Sequence, residues 1–474
     1  MITPDSPDRH YSTRLRTALV LTGIGTAGAY HAGVLRALHE AGVRVDLVAG
    51  RGVGALGALF AAIDGGARLW DPGGLWRNPE IAHAYEWRRP LRIAGWAVVA
   101  GCALLATPLV LFAGGVAAGL IGLLFWSVSL TGIATALRST YARWLDALFE
   151  PTALPTIIPR LVVLCLLVAL FALAIPLAMA ILRAPVRRRL RQGQIWRLLG
   201  SPLSPSAVLD RAVAQLWSLI RGAAPVAAPP REELGRNYVD LLLENLGQPG
   251  FRELLVVAHD MDARRDVVFG LLADPHRHRF FGRPVIDGNR QAEAFDLTGV
   301  GRDHVMDALA ASLTLPAATD PHLVRLPAEG PWRGETHRMC DRPASVERLL
   351  EEVRVAGAEQ VIVVTAAPPA GGPHELSSGR ADPRGRASEQ MAAFEIADLR
   401  DVLEQSSGRF AGLFVIRPSH NPLGPLDFTG TFDERSDRPY IVEELVDRGY
   451  EDAYRQFVEP VVAASGEQIA TVQS

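Results

Sequence analysis

The stretch Leu21-Thr-Gly-Ile-Gly-Thr-Ala-Gly-Ala-Tyr-His-Ala-Gly-Val-Leu35 joins an apolar run to a helical pattern through a glycine-rich turn. The run before it, Thr17 to Leu21, has the composition of a buried strand. After it, Ala29 to Ala41 carries Val34, Leu35 and Leu38 on one face, the spacing of an amphipathic helix. The same device repeats at once. Val45 to Ala49 is a second short apolar run, and Val48-Ala-Gly-Arg-Gly-Val-Gly-Ala-Leu56 turns it into the apolar helical stretch Ala55 to Ile63. A β-α-β-α start of this kind predicts an α/β fold with a mainly parallel sheet covered by helices.

Working outward, 474 residues exceed one ordinary core and imply two or three units. The net charge of −3 gives no electrostatic case for a nucleic-acid partner. Every basic residue of the Lys/Arg class is arginine, a sign of GC-rich coding rather than of designed guanidinium contacts. Three cysteines are too few for a disulfide framework, and Cys102 and Cys165 fall inside apolar runs as small packing residues. Met1 to Arg16 is polar and interrupted by Pro4 and Pro7, so it is no secretory signal, and the first domain is expected in the cytoplasm.

Hydrophobic residues make up 49% of the chain, and the excess is concentrated. Ile93 to Leu137 contains no charged residue, and Leu161 to Leu182 is a second uncharged run. About 20 apolar residues span a bilayer as a helix, so both runs qualify. Trp96, Trp126 and Trp144 fall toward segment ends, as interfacial anchors do. If the segments flanking this insert belong to one folded domain, the number of crossings is even. Two are favoured, with the rest of the longer run re-entrant or interfacial around Gly114, Gly115 and Gly119. Arg88, Arg89 and Arg92 precede the insert, and Arg183, Arg187, Arg188, Arg189 and Arg191 follow it. By the positive-inside rule both flanks lie in the cytoplasm, beneath the plasma membrane, with 138–160 as the outer connection. The Arg187 to Arg191 cluster serves either as this topology signal or as a contact to anionic headgroups.

The remaining soluble sequence continues the α/β pattern. Pro202 to Arg231 reads as a linker with one helix; Leu254 to Ala258, Asp266 to Leu272, Val361 to Thr365 and Phe414 to Arg417 read as strands. Val346 to Ala356 is a helix ended by Gly357, Pro368 to Ser388 a Pro/Gly/Arg-rich loop, and Ile441 to Val462 the closing helices. The expected division is therefore 15–90, an N-terminal part; 91–191, the membrane insert; 192–234, a linker; and 235–465, the C-terminal part of the first domain.

The two glycine-rich stretches resemble the patatin-like phospholipases. In that family the first is a Gly-Gly-Gly-x-Arg/Lys-Gly oxyanion loop followed by a helix with Gly-Val-Leu, matched here at Gly33-Val-Leu35. The second stands where the family has Gly-x-Ser-x-Gly-Ala. Ala310-Ala-Ser-Leu-Thr-Leu-Pro316 resembles its Ala-Ser-x-x-x-Pro segment, and Gly449-Tyr-Glu-Asp-Ala453 its closing helix. The likeness is dense over 15–75 and looser over 235–465. It implies a three-layer fold interrupted by the apolar insert, and an acyl-hydrolase site at the second turn.

The chemistry departs from that pattern. A patatin-type hydrolase attacks an ester with a serine held on a strained strand-to-helix turn. Here Gly50 and Gly54 are kept, but Gly52 takes the nucleophile's place and has no atom that can attack. In the loop Gly23, Ile24, Gly25 and Gly28, the middle glycine is Ile24, whose branched side chain is expected to obstruct an oxyanion. The loop's Arg/Lys is Ala27. The partner aspartate is expected just before the Val346 helix, where Arg333-Gly334-Glu335 is the apparent counterpart and puts arginine at the base position. Asp287-Gly288 comes too early in the chain and reads as a tight turn. Together these departures imply a membrane-anchored, catalytically inactive relative that holds a lipid or acyl chain or scaffolds a protein partner.

Two other functions compete. A hydrolase with a displaced nucleophile would use Ser312, with His31, His259, His304 or His337 as base. A nucleotide-binding protein would use Gly23-x-Gly25-x-x-Gly28, with Asp46 near the spacing of a ribose-binding acid. No metal or cofactor is called for: Asp274, His276 and His278 form a short cluster in what reads as a surface loop, without zinc spacing. His259 to Asp262, at a strand end, either caps a turn or lines a pocket.

Overall fold

Alternating apolar residues on β1 (Thr17–Thr22) divide between two cores. Leu19 and Leu21 point into one, Ala18 and Val20 into the other. That two-residue period makes β1 a strand buried on both faces, the condition of a parallel sheet sandwiched by helices. A computed structural model describes residues 11–183, 201–282, 292–328, 332–369 and 383–462. It is α/β with a mainly parallel central sheet. Alongside β1 run β2 (Leu47–Arg51), β3 (Glu253–Asp260), β4 (Arg265–Leu271), β5 (Ala292–Asp296), β6 (His322–Arg325), β7 (Thr336–Cys340), β8 (Gln360–Thr365) and β9 (Gly412–Ile416).

The sheet order is β9-β8-β1-β2-β3-β4-β5, with the β6–β7 hairpin attached through β7 to the end of β3. From β9 to β3 the strands are parallel; β4 runs antiparallel to β3, and β5 parallel to β4. Leu21 pairs with Gly50, so the glycine turns after β1 and β2 emerge side by side at the carboxyl edge. In open α/β sheets that edge is where sites form.

On one face lie α1 (Ala27–Glu40) and α2 (Gly54–Ala62) with the closing helix Val442–Ala453; on the other Ser345–Val355 and the later part of Pro383–Ser406. The closing helix crosses α1 at two glycines. A Cβ on Gly33 would lie 1.8 Å from Val446 O, and one on Gly449 would lie 2.2 Å from Tyr30 O. Both glycines belong to the segments that carry the patatin resemblance, and their service is close helix packing.

Three expectations change. Within the expected linker, 192–234, Ser206–Ile220 belongs to the core: it buries Val208, Leu209, Ala212 and Leu216, because its apolar residues share one face against the domain core. Pro383–Ser406 is helical where a loop was expected to reach Ser388. The longer apolar run was expected to become re-entrant or interfacial around Gly114, Gly115 and Gly119, and its helix is unbroken there. It continues as one 39-residue helix, Arg89–Ser127, and turns at Ser129, whose φ is 64°. Asp287-Gly288, the Arg187–Arg191 cluster and residues 370–382 lie outside the described residues.

Trp87–Pro202 forms a compact unit of its own, apart from the unit made by Met1–Glu86 with Leu203–Ser474. It holds Arg89–Ser127, Thr131–Leu148 and Leu154–Arg183. The first and third are long and apolar enough to cross a membrane. Both ends of the insert meet where Arg88 N–H donates to Pro202 O at 3.0 Å. The two flanking segments share one sheet, so the premise of the parity argument holds.

Gly33→Ala is expected to lower the stability of the sheet domain by about 1–3 kcal/mol through overpacking against Val446 O. Urea unfolding followed by tryptophan fluorescence measures it; an unchanged midpoint would mean the two helices separate without cost.

Candidate functional site

The turn after β2 keeps an elbow's backbone. Gly52 stands at its tip with φ of 56°, in the left-handed region that favours glycine. Side chains at Gly50 and Gly54 would meet Gly54 O at 2.4 Å and Leu21 O at 2.0 Å, so both flanking glycines are sterically required. A Cβ on Gly52 itself would lie 2.2 Å from Gly23 O and 3.1 Å from Asp341 Oδ2.

The oxyanion-type loop is closed by its own neighbours. Val53 N–H, in the position that stabilises an oxyanion in a working elbow, donates instead to Gly23 O at 2.9 Å. Thr26 N–H donates to Pro425 O at 3.1 Å and its hydroxyl to Gly424 O at 2.9 Å. A Cβ on Gly25 would fall 1.8 Å from Pro425 O, so the segment around Pro425 sits directly on the loop. Ile24 is buried in the core, and Gly28 is pressed against the Trp76 ring. The obstruction expected of Ile24's side chain is supplied by backbone.

The acid beside the elbow is Asp341. Arg333, Gly334 and Glu335 instead form the turn of the β6–β7 hairpin, with positive φ at Arg333 and Gly334 and an exposed Glu335. Asp341 follows β7 and precedes the helix Ser345–Val355, the place in the chain that the resemblance assigns to the partner aspartate. The sequence signal was an acid between an apolar strand end and a helix start. It was hidden because Asp341-Arg-Pro replaces the expected Asp-Gly-Gly.

Arg51, the residue between the two elbow glycines Gly50 and Gly52, dominates the electrostatics. Its side chain is 0% exposed; Nη1 lies 3.6 Å from Asp341 Oδ2 and Nη2 lies 3.5 Å from Glu395 Oε1. None of its three nitrogens closes a full hydrogen bond among the described residues. The backbone N–H groups of Arg342 and Gly52 face the Asp341 carboxylate, likewise short of full hydrogen-bond geometry. Burial pushes the Asp341 carboxyl up, against the opposing pull of Arg51. Burial also raises Glu395, to about 7, with Arg51 again opposing. Glu395, Leu399 and Val402 share one helical face, a signal legible in sequence once the helix is recognised.

Ser312 is fully buried and its hydroxyl donates to Ala308 O at 2.8 Å, so it is held within its own helix. His31 Nε2 lies 3.0 Å from Thr22 O, and burial drives its pKa down to about 4. His259 pairs with Asp266 at 2.8 Å, His337 with Asp260 at 2.5 Å, and His304 and His322 share Asp307. Ser345 joins the first of these pairs, but its hydroxyl donates to Asp266 at 2.8 Å, so it is bonded to the acid and not to the His259 imidazole that would have to activate it. Asp260 also accepts from the Asp262 and Ala263 N–H groups, so His259 to Asp262 is a capped turn. Asp274 pairs with His278, while His276 packs at Gly357; among the described residues no group of three or more His, Cys, Asp and Glu is placed to hold a metal. Asp46 accepts from Thr17 N–H at 2.9 Å at the amino end of β2, the opposite edge from the glycine loop. A dinucleotide would need that loop open and the acid at the same edge.

Over a short stretch the chain is similar to patatin-like phospholipase domain-containing proteins. Patatin-like phospholipase domain-containing protein 6 of Mus musculus and that of Homo sapiens are each 60% identical to this chain over 45 residues. Those residues are 9% of this chain and 3% of the relatives' length. VipD from Legionella pneumophila aligns over 95% of this chain and 67% of its own, at 12% identity and a TM-score of 0.30. No family profile matches the chain.

Arg51→Ala is expected to destabilise the sheet domain by about 3–5 kcal/mol, because it leaves two buried carboxyls without their cation. Glu395 has a folded pKa above its ordinary 4.5, so its contribution is full below that value and is lost as pH rises through about 7. Glu395→Gln should therefore flatten the fall in stability between those pH values, as read by denaturant unfolding at each pH. An unaltered pH profile would show that Glu395 is not buried beside Arg51.

Proposed function

We propose that this chain is a membrane-tethered relative of the patatin-like phospholipases whose acyl-transfer site is closed and unreactive. Its role is to hold a lipid or acyl chain, with scaffolding of a protein partner as the alternative. The observation that carries this reading is the elbow: Gly52 offers no nucleophile, and the adjacent Val53 N–H is already committed to Gly23 O. Retention of Asp341 does not restore chemistry, since Arg51 holds it in an ion pair and the elbow position beside it is Gly52.

A lipid or acyl ligand is favoured over a nucleotide because Pro425 covers the glycine loop. A crevice of about 210 Å³ opens beside α1, lined by Leu19, Leu35, Leu38, Val48 and Ala61 together with His39, Asp64 and Arg252. A cavity of about 150 Å³ already accommodates benzene. The tether is supported by Arg89–Ser127 and Leu154–Pro176, both apolar enough to span. Their small residues Ala94 and Ala97 pack on Ala169, and Gly101 faces Cys165, the close approach used by helices in lipid.

Purified in detergent and offered generic acyl esters and mixed phospholipids, the protein is expected to show no turnover above a protein-free blank. Gly52→Ser should stay silent as well, because its Cβ meets Gly23 O. Robust turnover by the unaltered chain would overturn the reading. In cells, the chain should remain with membranes through an alkaline carbonate wash; release into the supernatant would remove the tether.

A further inference from the structure

The helix Arg89–Ser127 is about 58 Å long at 1.5 Å per residue, nearly twice the ~30 Å hydrocarbon core. Its two halves have different partners. Around Ala94–Gly101 it packs on Leu154–Arg183. Beyond Pro108 it receives Thr131–Leu148, which folds back on it: Tyr141 lies over Gly114 and Gly115 and donates to Leu111 O, and Arg138 crosses Gly122. This second half is therefore a helical hairpin with its own close packing. One arm of the hairpin is wholly apolar. On it Leu120, Leu124 and Trp126 are 59%, 67% and 65% exposed. The other arm carries Arg138, Arg143 and Asp146 among Thr135, Ser139 and Thr140, with Trp144 exposed.

We propose that the hairpin of residues 109–148 lies in the membrane interface at the end of the span far from Arg89, with its apolar arm among the acyl chains and its charged arm at the headgroups. The inference rests on the tethered reading above. Three observations select lipid as the occupant. The apolar arm is continuous with a candidate span, so its first residues already sit at the far edge of the bilayer. Its large side chains are exposed without a protein cover, and projecting them into water would strand an apolar surface of the kind soluble proteins avoid. The arms also separate apolar from charged residues, with tryptophan on both, as an in-plane element requires. Pro108 supplies the place to bend: it has no N–H for Leu104 O, so the helix ladder lacks a bond at the boundary between the two halves.

The test uses the full chain, its three cysteines replaced by alanine, in phosphatidylcholine/phosphatidylglycerol vesicles. Single cysteines at Leu166, Leu124 and Trp144 carry an environment-sensitive fluorophore. Quenching is read from lipids spin-labelled near the headgroup or at the chain end, and from iodide present on both faces. The label at 166 should be quenched most by chain-end spin labels. Labels at 124 and 144 should be quenched at least twofold more by headgroup-proximal spin labels than by chain-end ones, and 124 should resist iodide. If 166 behaves so while 124 is open to iodide, the hairpin stands in water and the inference falls alone. It also falls alone if 124 is shielded from iodide and both lipids, which means a protein cover, or if chain-end labels quench 124 most, which means a further crossing. Iodide quenching at 166 would overturn the tether together with the inference.

Discussion

The hydrogen bond from Val53 N–H to Gly23 O ties the two glycine turns together at the carboxyl edge of the sheet. It forms because β1 and β2 are paired in parallel register, with Leu21 opposite Gly50, which brings both turns out at one level. In a working elbow the space between these turns holds the reacting carbonyl. Here the backbone of one turn fills it, and glycine at position 52 is the condition for that contact: any Cβ would push Gly23 O away. The glycine at position 52 and the closed loop are thus one structural feature, and the Pro425 segment covers the loop.

Beneath the closed turn, Arg51 places a cation where it faces two carboxyls with little solvent. Such a cluster is weak evidence for stability in itself, since desolvation offsets most of the attraction. Its consequence is directional: the cation depends on both acids, one after β7 and one on the helix Pro383–Ser406. Three distant parts of the chain are tied to the residue next to Gly52. Asp341 and Glu395 face that one guanidinium from two different elements, so the position of Arg51 depends on both.

The insert obeys a separate constraint. Its large apolar side chains are exposed along Arg89–Ser127 and Leu154–Arg183, and its buried residues are chiefly alanine and glycine. That is the inverse of a soluble helical unit, in which large apolar residues are covered. Small residues at the contacts and large ones outward is the arrangement expected where lipid is the solvent.

Much of this was legible in order along the chain. Local patterns determined the β-α-β-α start, the helix at Val346, the strands at Leu254 and Val361, the absence of a nucleophile at Gly52 and the two apolar segments, because each depends on neighbours a few residues apart. Helix glycines Gly33 and Gly449 could be matched as motifs, but not explained. Only the tertiary structure decided that Asp341 rather than Arg333 stands at the elbow, that Arg51 is buried between Asp341 and Glu395, and that Pro425 closes the loop. It also decided that Ser206–Ile220 belongs to the core and that the long apolar run turns at Ser129 rather than at its glycines. These facts join residues hundreds of positions apart, and sequence spacing carries no information about which of several acids or glycines a chain will bring to one point. Local chemistry decided which residue stands at the elbow; packing across the sheet decided what surrounds it.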